Sequence, residues 1–366
     1  MRTMDPTLKA ALLMNAAHAP LPAFRKLCEN YAPEDLNREE LWDALNLTPS
    51  VWKNLSRLLR EGDWPEREEE RAARFGARFL TVDDPDCPAR LQDLSQPPIG
   101  LYVKGKLDVT LPSAAVVGTR RCSAYGKTVA EALGRALARG GLMVVSGGAR
   151  GIDAAGHRGC LAEGGVTVAV LGTGIDRVYP MEHKELFAQI AETGALISEY
   201  PMGTDGAAWH FPERNRLIVG MTGRTVVVES PEDGGAMISA RLALDLGREV
   251  WCVPGRITEG VCRGTNRLLR DGAEPLVDVD EFVHCTTGRY GQLVLDLDEP
   301  AARSQPPLST DEKVVLALLQ RQGGRTMDEL LAESGLDLVT LQTCMMTLSA
   351  SGLAVVSGPG RFSAGV

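Results

Sequence analysis

AAVVGTRRCSAYG (114–126), LMVVSGGARGIDAAGHRG (142–159) and VTVAVLGTGIDRVYP (166–180) follow one another along the chain and decide its fold. Each is a run of apolar β-formers, then a glycine-rich loop, then a helical pattern. Strand, loop and helix repeated at this spacing mean a mostly parallel sheet wrapped by helices, with right-handed crossovers. In such a sheet the loops gather at the carboxyl edge, where ligands bind. They offer backbone N–H groups and helix N-termini to an anion. The basic residues nearby are mainly arginines, whose fork of donors suits phosphate. The stretch predicts a phosphate-binding surface with no obvious chemistry attached.

The alternation continues outward through helix 182–192, strand 195–199, helix 212–219, strand 225–229, helix 236–246 and strand 249–253. Before it, residues 78–105 carry Pro85, Pro88, Pro97 and Pro98 and read as an extended connector entering a short strand. Residues 78–285 thus form an extended Rossmann-like α/β domain. Residues 1–75 read as a small domain of four or five short helices, with start signals at Asn37 and at Thr48-Pro49. Bundles of this kind include helix-hairpin-helix and sterile-alpha-motif-like modules. A linker rich in Pro, Gly and acid spans 286–309. Residues 310–366 read helix, helix, helix, strand pair, the order of a winged helix. The third of these helices, 338–351, has no Lys or Arg. Its Leu341, Met345 and Leu348 have core-facing spacing, which favours a docking or regulatory role over DNA readout.

At 366 residues the chain has room for two or three domains, and 44% apolar content is ample for their cores. No apolar run approaches the roughly 20 residues that span a bilayer, and the start carries no signal-peptide pattern. The eight cysteines are scattered with no CxxC pair, which argues for a reducing compartment and against disulfides or structural zinc. A cytoplasmic protein without a membrane partner is expected. Net charge is −9, yet residues 113–276 hold 18 Lys/Arg and 18 Asp/Glu. All the excess acid lies in the flanks, where it suits solubility or a basic partner protein.

Seven blocks in fixed order make residues 113–276 resemble the DNA-processing protein A (DprA, also called Smf) family. They are VVGTRRCSAYG, SGGARGIDAAGHRG, LGTGIDRVYP, SEYPMG (198–203), HFPERNRLIVG (210–220), GGAMISARLALDLGREVWCVPG (234–255) and GTNRLLRDGA (264–273). The resemblance implies a homodimeric, non-enzymatic binder of single-stranded DNA. Such proteins shield incoming strands, work beside single-strand-binding protein and help load the RecA recombinase during natural transformation. It also leads one to expect a lysine near position 208, where this chain has Ala207-Ala208.

Position after the first strand and the resemblance together make Arg120 the chief phosphate anchor, with Gly118, Thr119 and the adjacent Arg121 around it. Ser146, Gly147 and Gly148 let a backbone approach a ligand, or serve a tight turn. Lys184 is either a phosphate contact or a solvated helix residue. In Trp209-His210-Phe211-Pro212, aromatics stand beside Arg214 and Arg216, the combination that single-strand binding uses. The resemblance points to Phe211 as the stacking ring and leaves Trp209 undecided. Asn215 and Asn266 are loop-fixers or phosphate donors. His157 reads as a structural histidine, because the other histidines show no ligand spacing and metal sites come as clusters. Asp153, Glu199 and Glu229 fall near the same edge, as caps or arginine partners more plausibly than as catalysts.

GTRRCS is not GxGxxG, and Gly126-Lys127-Thr128 lacks its leading glycine, so neither NAD nor ATP is expected and no cofactor or metal is assigned. A second reading, from another class, is a mononucleotide-binding or nucleotide-cleaving Rossmann enzyme with Glu229 or Glu199 as base. For the dimer, Leu268-Leu269 and Leu276-Val277 are candidate apolar contacts.

Overall fold

The computed structural model describes residues 4–287, 309–320, 325–350, 353–358 and 361–364. The chain divides into two compact units, Met1–Leu293 and Val294–Val366.

In the first unit five helices lead: α1 (Pro6–Ala16), α2 (Leu21–Asn30), α3 (Glu40–Ala44), α4 (Pro49–Arg60) and α5 (Trp64–Phe75). Thr48 caps α4 by accepting from the Val51 N–H, with Pro49 pre-set at the first helical position. Asn37 is not a cap; it ends a 3-10 turn, and α3 starts three residues later without a side-chain cap. After β1 (Ala77–Thr81) and β2 (Gly100–Gly105) the chain alternates. The order is β3 (Ser113–Val117), α6 (Ala124–Arg139), β4 (Met143–Ser146), α7 (Ile152–Ala162), β5 (Thr167–Val170), α8 (Lys184–Thr193) and β6 (Ala195–Ser198). Then come α9 (His210–Gly220), β7 (Arg224–Val227), α10 (Gly235–Asp245), β8 (Glu249–Cys252), α11 (Arg263–Arg270), β9 (Glu274–Pro275) and α12 (Val279–Thr287).

Nine strands form one sheet in the order β1-β2-β6-β5-β4-β3-β7-β8-β9. Strands β6, β5, β4, β3, β7, β8 and β9 run parallel to one another, whereas β2 runs antiparallel to both β6 and β1. The connector expected at 78–105 is therefore two sheet strands, with the prolines confined to the loop between them. The chain reverses its lateral direction at β3, which lies between β4 and β7, so the switch-point crevice opens beside β3.

The first helices share their core with the sheet. Leu13, Phe24, Leu55 and Leu58 belong to one buried cluster with Leu101, Val145 and Leu217. Polar ties reinforce the contact: Asn15 donates to the Glu199 carbonyl at 2.8 Å, and the buried Glu68 of α5 accepts from the Met202 N–H at 2.6 Å. Leu268 and Leu276 are themselves core residues, so of the two apolar stretches only Val277 is fully at the surface.

Helices α6 and α7 approach closely because glycines face the partner backbone. A Cβ at Gly134 would lie 2.2 Å from the Gly156 carbonyl oxygen. His157 of α7 is fully buried, its Nδ1 2.7 Å from Thr167 Oγ1. The threonine hydroxyl donates to the Val144 carbonyl, so the ring N–H donates to the threonine. Burial pushes the imidazole down to about 3. It thus stays neutral when folded but titrates near 6.5 unfolded, and stability is lost as pH falls through that window. In denaturant titrations a His157→Gln variant should lose less stability than the parent between about pH 6.5 and about pH 4. Equal losses in the two proteins would acquit His157.

The second unit contains α13 (Thr310–Leu319), β10 (Arg325–Thr326), α14 (Met327–Ser334), α15 (Leu338–Ala350), β11 (Ala354–Gly358) and β12 (Arg361–Ala364). Ser309 with Glu312, and Thr326 with Glu329, form capping boxes at the first two helices. Its strands pair antiparallel in the order β10-β12-β11, and Leu341, Met345 and Leu348 of α15 are buried with Val315 and Leu330. Most of the 286–309 linker lies outside the described residues. No described helix is long and apolar enough to cross a membrane.

Candidate functional site

The switch-point crevice is an open cleft of about 550 Å³. Its floor and walls come from the loop after β3 (Gly118 to Arg121), the start of α9 (Phe211, Arg214), the start of α10 (Gly234, Gly235) and Tyr179 from the loop after β5. Parallel strands bring these together because each loop leaves the same sheet edge.

Arg120 is exposed, and its guanidinium carbon sits 4.9 Å from the centre of the Phe211 ring. Among the described residues no carboxylate pairs with it. Phe211 is half-buried: it lies against Gly172, where a Cβ would come within 2.9 Å of the ring, and beside Tyr179 at 5.2 Å between centroids. Arg120, Phe211 and Tyr179 thus form one cationic and aromatic group.

The loops were expected to present open amides, and mostly they do not. The Thr119 N–H donates to the Glu229 carbonyl at 2.7 Å, and the Arg121 N–H to Thr119 Oγ1 at 3.2 Å. The Gly147 and Ala149 N–H groups both donate to the Asp153 carboxylate at 3.2 Å. What remains is the start of α10, where Gly234 provides no side-chain cap and the helix presents its positive end to the cleft. The Gly-Gly pair ahead of an apolar helix was the signal that could have marked it.

The other arginines differ from Arg120. Arg214 is only 4% exposed. Its Nη1 donates to the Gly147 carbonyl at 2.6 Å and to the Val170 carbonyl, and its Nε to Asn215 Oδ1 at 3.1 Å. Burial pulls its pKa down to about 10, opposed by the nearby Asp153 charge. Arg214 braces β4 against β5 and forms the back wall of the cleft. Gly147 makes room for it, since a Cβ there would lie 2.1 Å from the guanidinium. Arg216 points elsewhere and holds Glu199 through two bonds of 2.6 and 2.7 Å.

Ser146 is fully buried and donates to the Val116 carbonyl at 2.6 Å. Gly148 adopts φ +64° against Phe187. Gly151, at φ +77°, underlies the first loop: a Cβ would lie 2.4 Å from the Thr119 carbonyl oxygen. Asn266 clamps both backbone groups of Gly255 at 3.0–3.1 Å. Lys184, exposed at the start of α8, does not line the cleft. The cleft therefore gathers Gly118, Thr119, Arg120, Arg121, Phe211 and Arg214. It leaves Ser146, Lys184, Arg216 and Asn266 outside, with Gly147 and Gly148 acting from behind it.

The carboxylates are occupied too. Glu229, 1% exposed, accepts from the Ser123 N–H at 2.8 Å and its hydroxyl at 2.5 Å, at the start of α6. Glu199 is held by Arg216, and burial raises the Asp153 pKa. Among the described residues no group of His, Cys, Asp or Glu could hold a metal ion.

A family profile described as DNA recombination-mediator protein A matches residues 78–287. A Mycobacterium tuberculosis protein, named provisionally as DNA processing protein DprA, is 39% identical over 309 residues, covering 81% of this chain and 79% of that one. The X-ray structure of DNA processing protein A from Streptococcus pneumoniae superposes with a TM-score of 0.65 at 28% identity, covering 77% of this chain and 98% of that one. A solved DNA processing protein A from Helicobacter pylori, described for its single-stranded DNA binding mode, gives 0.53 at 29% identity, covering 58% and 97%.

Proposed function

The chain belongs to the DNA recombination-mediator protein A family, and from that premise we propose that its switch-point cleft binds single-stranded DNA and catalyses no reaction. The observation that carries this is the exposed Arg120 guanidinium set over Phe211 beside Tyr179. An unpaired fork of donors takes a phosphate, while a neighbouring ring offers a base a surface to stack on. Tyr179, 45% exposed, offers more open ring than Phe211, which is sandwiched between Arg120 and Gly172. The carboxylates an enzyme would need are engaged in caps and ion pairs.

Binding of this type ignores base identity and weakens with salt. Labelled oligo-dT should bind more tightly than a duplex of equal length, with log affinity falling against log salt by about 0.7 per phosphate contacted. Fluorescence anisotropy over a salt series checks this. Equal affinity for duplex, or indifference to salt, would refute it, and a free nucleotide that raised the melting temperature while oligonucleotides did not would favour the mononucleotide reading.

The finer part of the reading is that a cytoplasmic homodimer shields incoming strands beside single-strand-binding protein and helps load RecA in natural transformation. Membership of the recombination-mediator family supports it.

A further inference from the structure

Trp209 is the most exposed aromatic side chain of the described residues, at 57%. It lies at the end of the loop between β6 and α9, and that loop lines two recesses. Gly206 and Ala208 face the switch-point cleft. Pro201 to Thr204 face a second recess of about 340 Å³, whose opposite wall is built by the N-terminal helices through His18, Asn54, Arg57 and Trp64. Trp209 follows Ala208 of the first and packs edge-on against His18 of the second, with ring centroids 6.1 Å apart.

Helix α4, beside the second recess, contains no acidic residue along its length, although the excess acid of the chain lies in the flanks. Lys53, Arg57 and Arg60 recur at helical spacing, so they share one face, and all three are exposed. Lys53 and Arg60 have no ion pair among the described residues, and Arg57 has only a loose one with Glu61 at 3.8 Å. An open indole followed by a stripe of unspent cations is what a single strand recognises, the ring taking a base and the charges its backbone.

We infer that a strand seated in the switch-point cleft continues over the 201–209 loop, stacks a base on Trp209, and lays its phosphates along Lys53, Arg57 and Arg60. The N-terminal helices are then the second half of one polynucleotide track. The inference rests on the cleft reading and extends it to strand length.

The test uses the full chain and oligo-dT of about 6 and about 20 nucleotides, one within and one beyond the roughly 4–16 nucleotides that a single-strand-binding fold covers. Trp209→Ala, and separately the double variant Lys53→Glu with Arg57→Glu, should each lower affinity for the long strand by about tenfold and leave the short strand nearly unchanged. Trp209→Phe keeps a stacking face and should recover most of the loss. Affinity for the long strand that survives both changes overturns the track, as does an equal loss on both lengths. Variants that alter oligomeric size but not strand affinity overturn it too, and mark the face as a contact between copies. Arg120→Ala separates the two claims: it should weaken both lengths, and if wild-type protein binds neither, the cleft reading itself has failed.

Discussion

Arg214→Ala should destabilise the first unit by about 3–5 kcal/mol, the cost of leaving partners of a buried ion without their charge. The guanidinium serves the Gly147 and Val170 carbonyls and the side chain of Asn215. Removing it strands two carbonyls in a site that water reaches poorly and takes the nearest compensating charge from the buried Asp153. It also empties the space that Gly147 keeps open. Thermal unfolding should shift down by roughly 5–8 °C, because a body of this size unfolds with an entropy of about 0.6 kcal/mol/K. Arg214→Lys retains the charge without the fork and should fall between. A melting temperature within a degree or two of the parent would show that Arg214 is a surface ligand and not a brace.

Arg120→Ala is the complementary experiment, in which stability should hold and binding should fail. The side chain is exposed and stacked only on Phe211, so its loss removes little buried structure. A hydrogen bond to a charged group contributes about 1.5–3 kcal/mol, so oligo-dT affinity should drop by roughly ten- to a hundredfold. The salt slope should shrink by about 0.7, the release attached to one single-strand phosphate. Arg120→Lys should restore most of the slope and only part of the affinity, because an ammonium lacks both the fork and the flat face. Anisotropy titrations at several salt concentrations read both quantities. An unchanged slope in Arg120→Ala would mean that no phosphate sits on Arg120.

The parallel sheet was legible in the sequence because strand and helix periods alternate cleanly from 114 to 253, and the three glycine loops fall where the topology places them. Strands β1 and β2 were harder. Four prolines between them read as irregular chain, and nothing local reveals that β2 adds antiparallel to β6. Helix α5, WPEREEERAARF, is so charged that periodicity hides its inward face. Its Glu68 is buried by a tertiary partner, the Met202 amide. The arginines teach the same lesson. Arg120, Arg214 and Arg216 look alike as letters, yet one is exposed, one braces the sheet and one is spent on Glu199. Burial and partner choice depend on contacts distant in sequence, such as Arg214 with Val170. Nothing in the sequence marks Tyr179 as a ligand, because only the fold sets it beside Phe211.

Gly151 and the anchor loop are geared together: the Thr119 and Arg120 carbonyls rest in the space where a side chain at 151 would stand. Retuning this protein toward another ligand by editing Arg120 and its neighbours alone would keep the old seat, whatever residue is installed in it. A designer gains freedom at the rim, where Arg121 is exposed, and forfeits the scaffold by enlarging the glycine beneath.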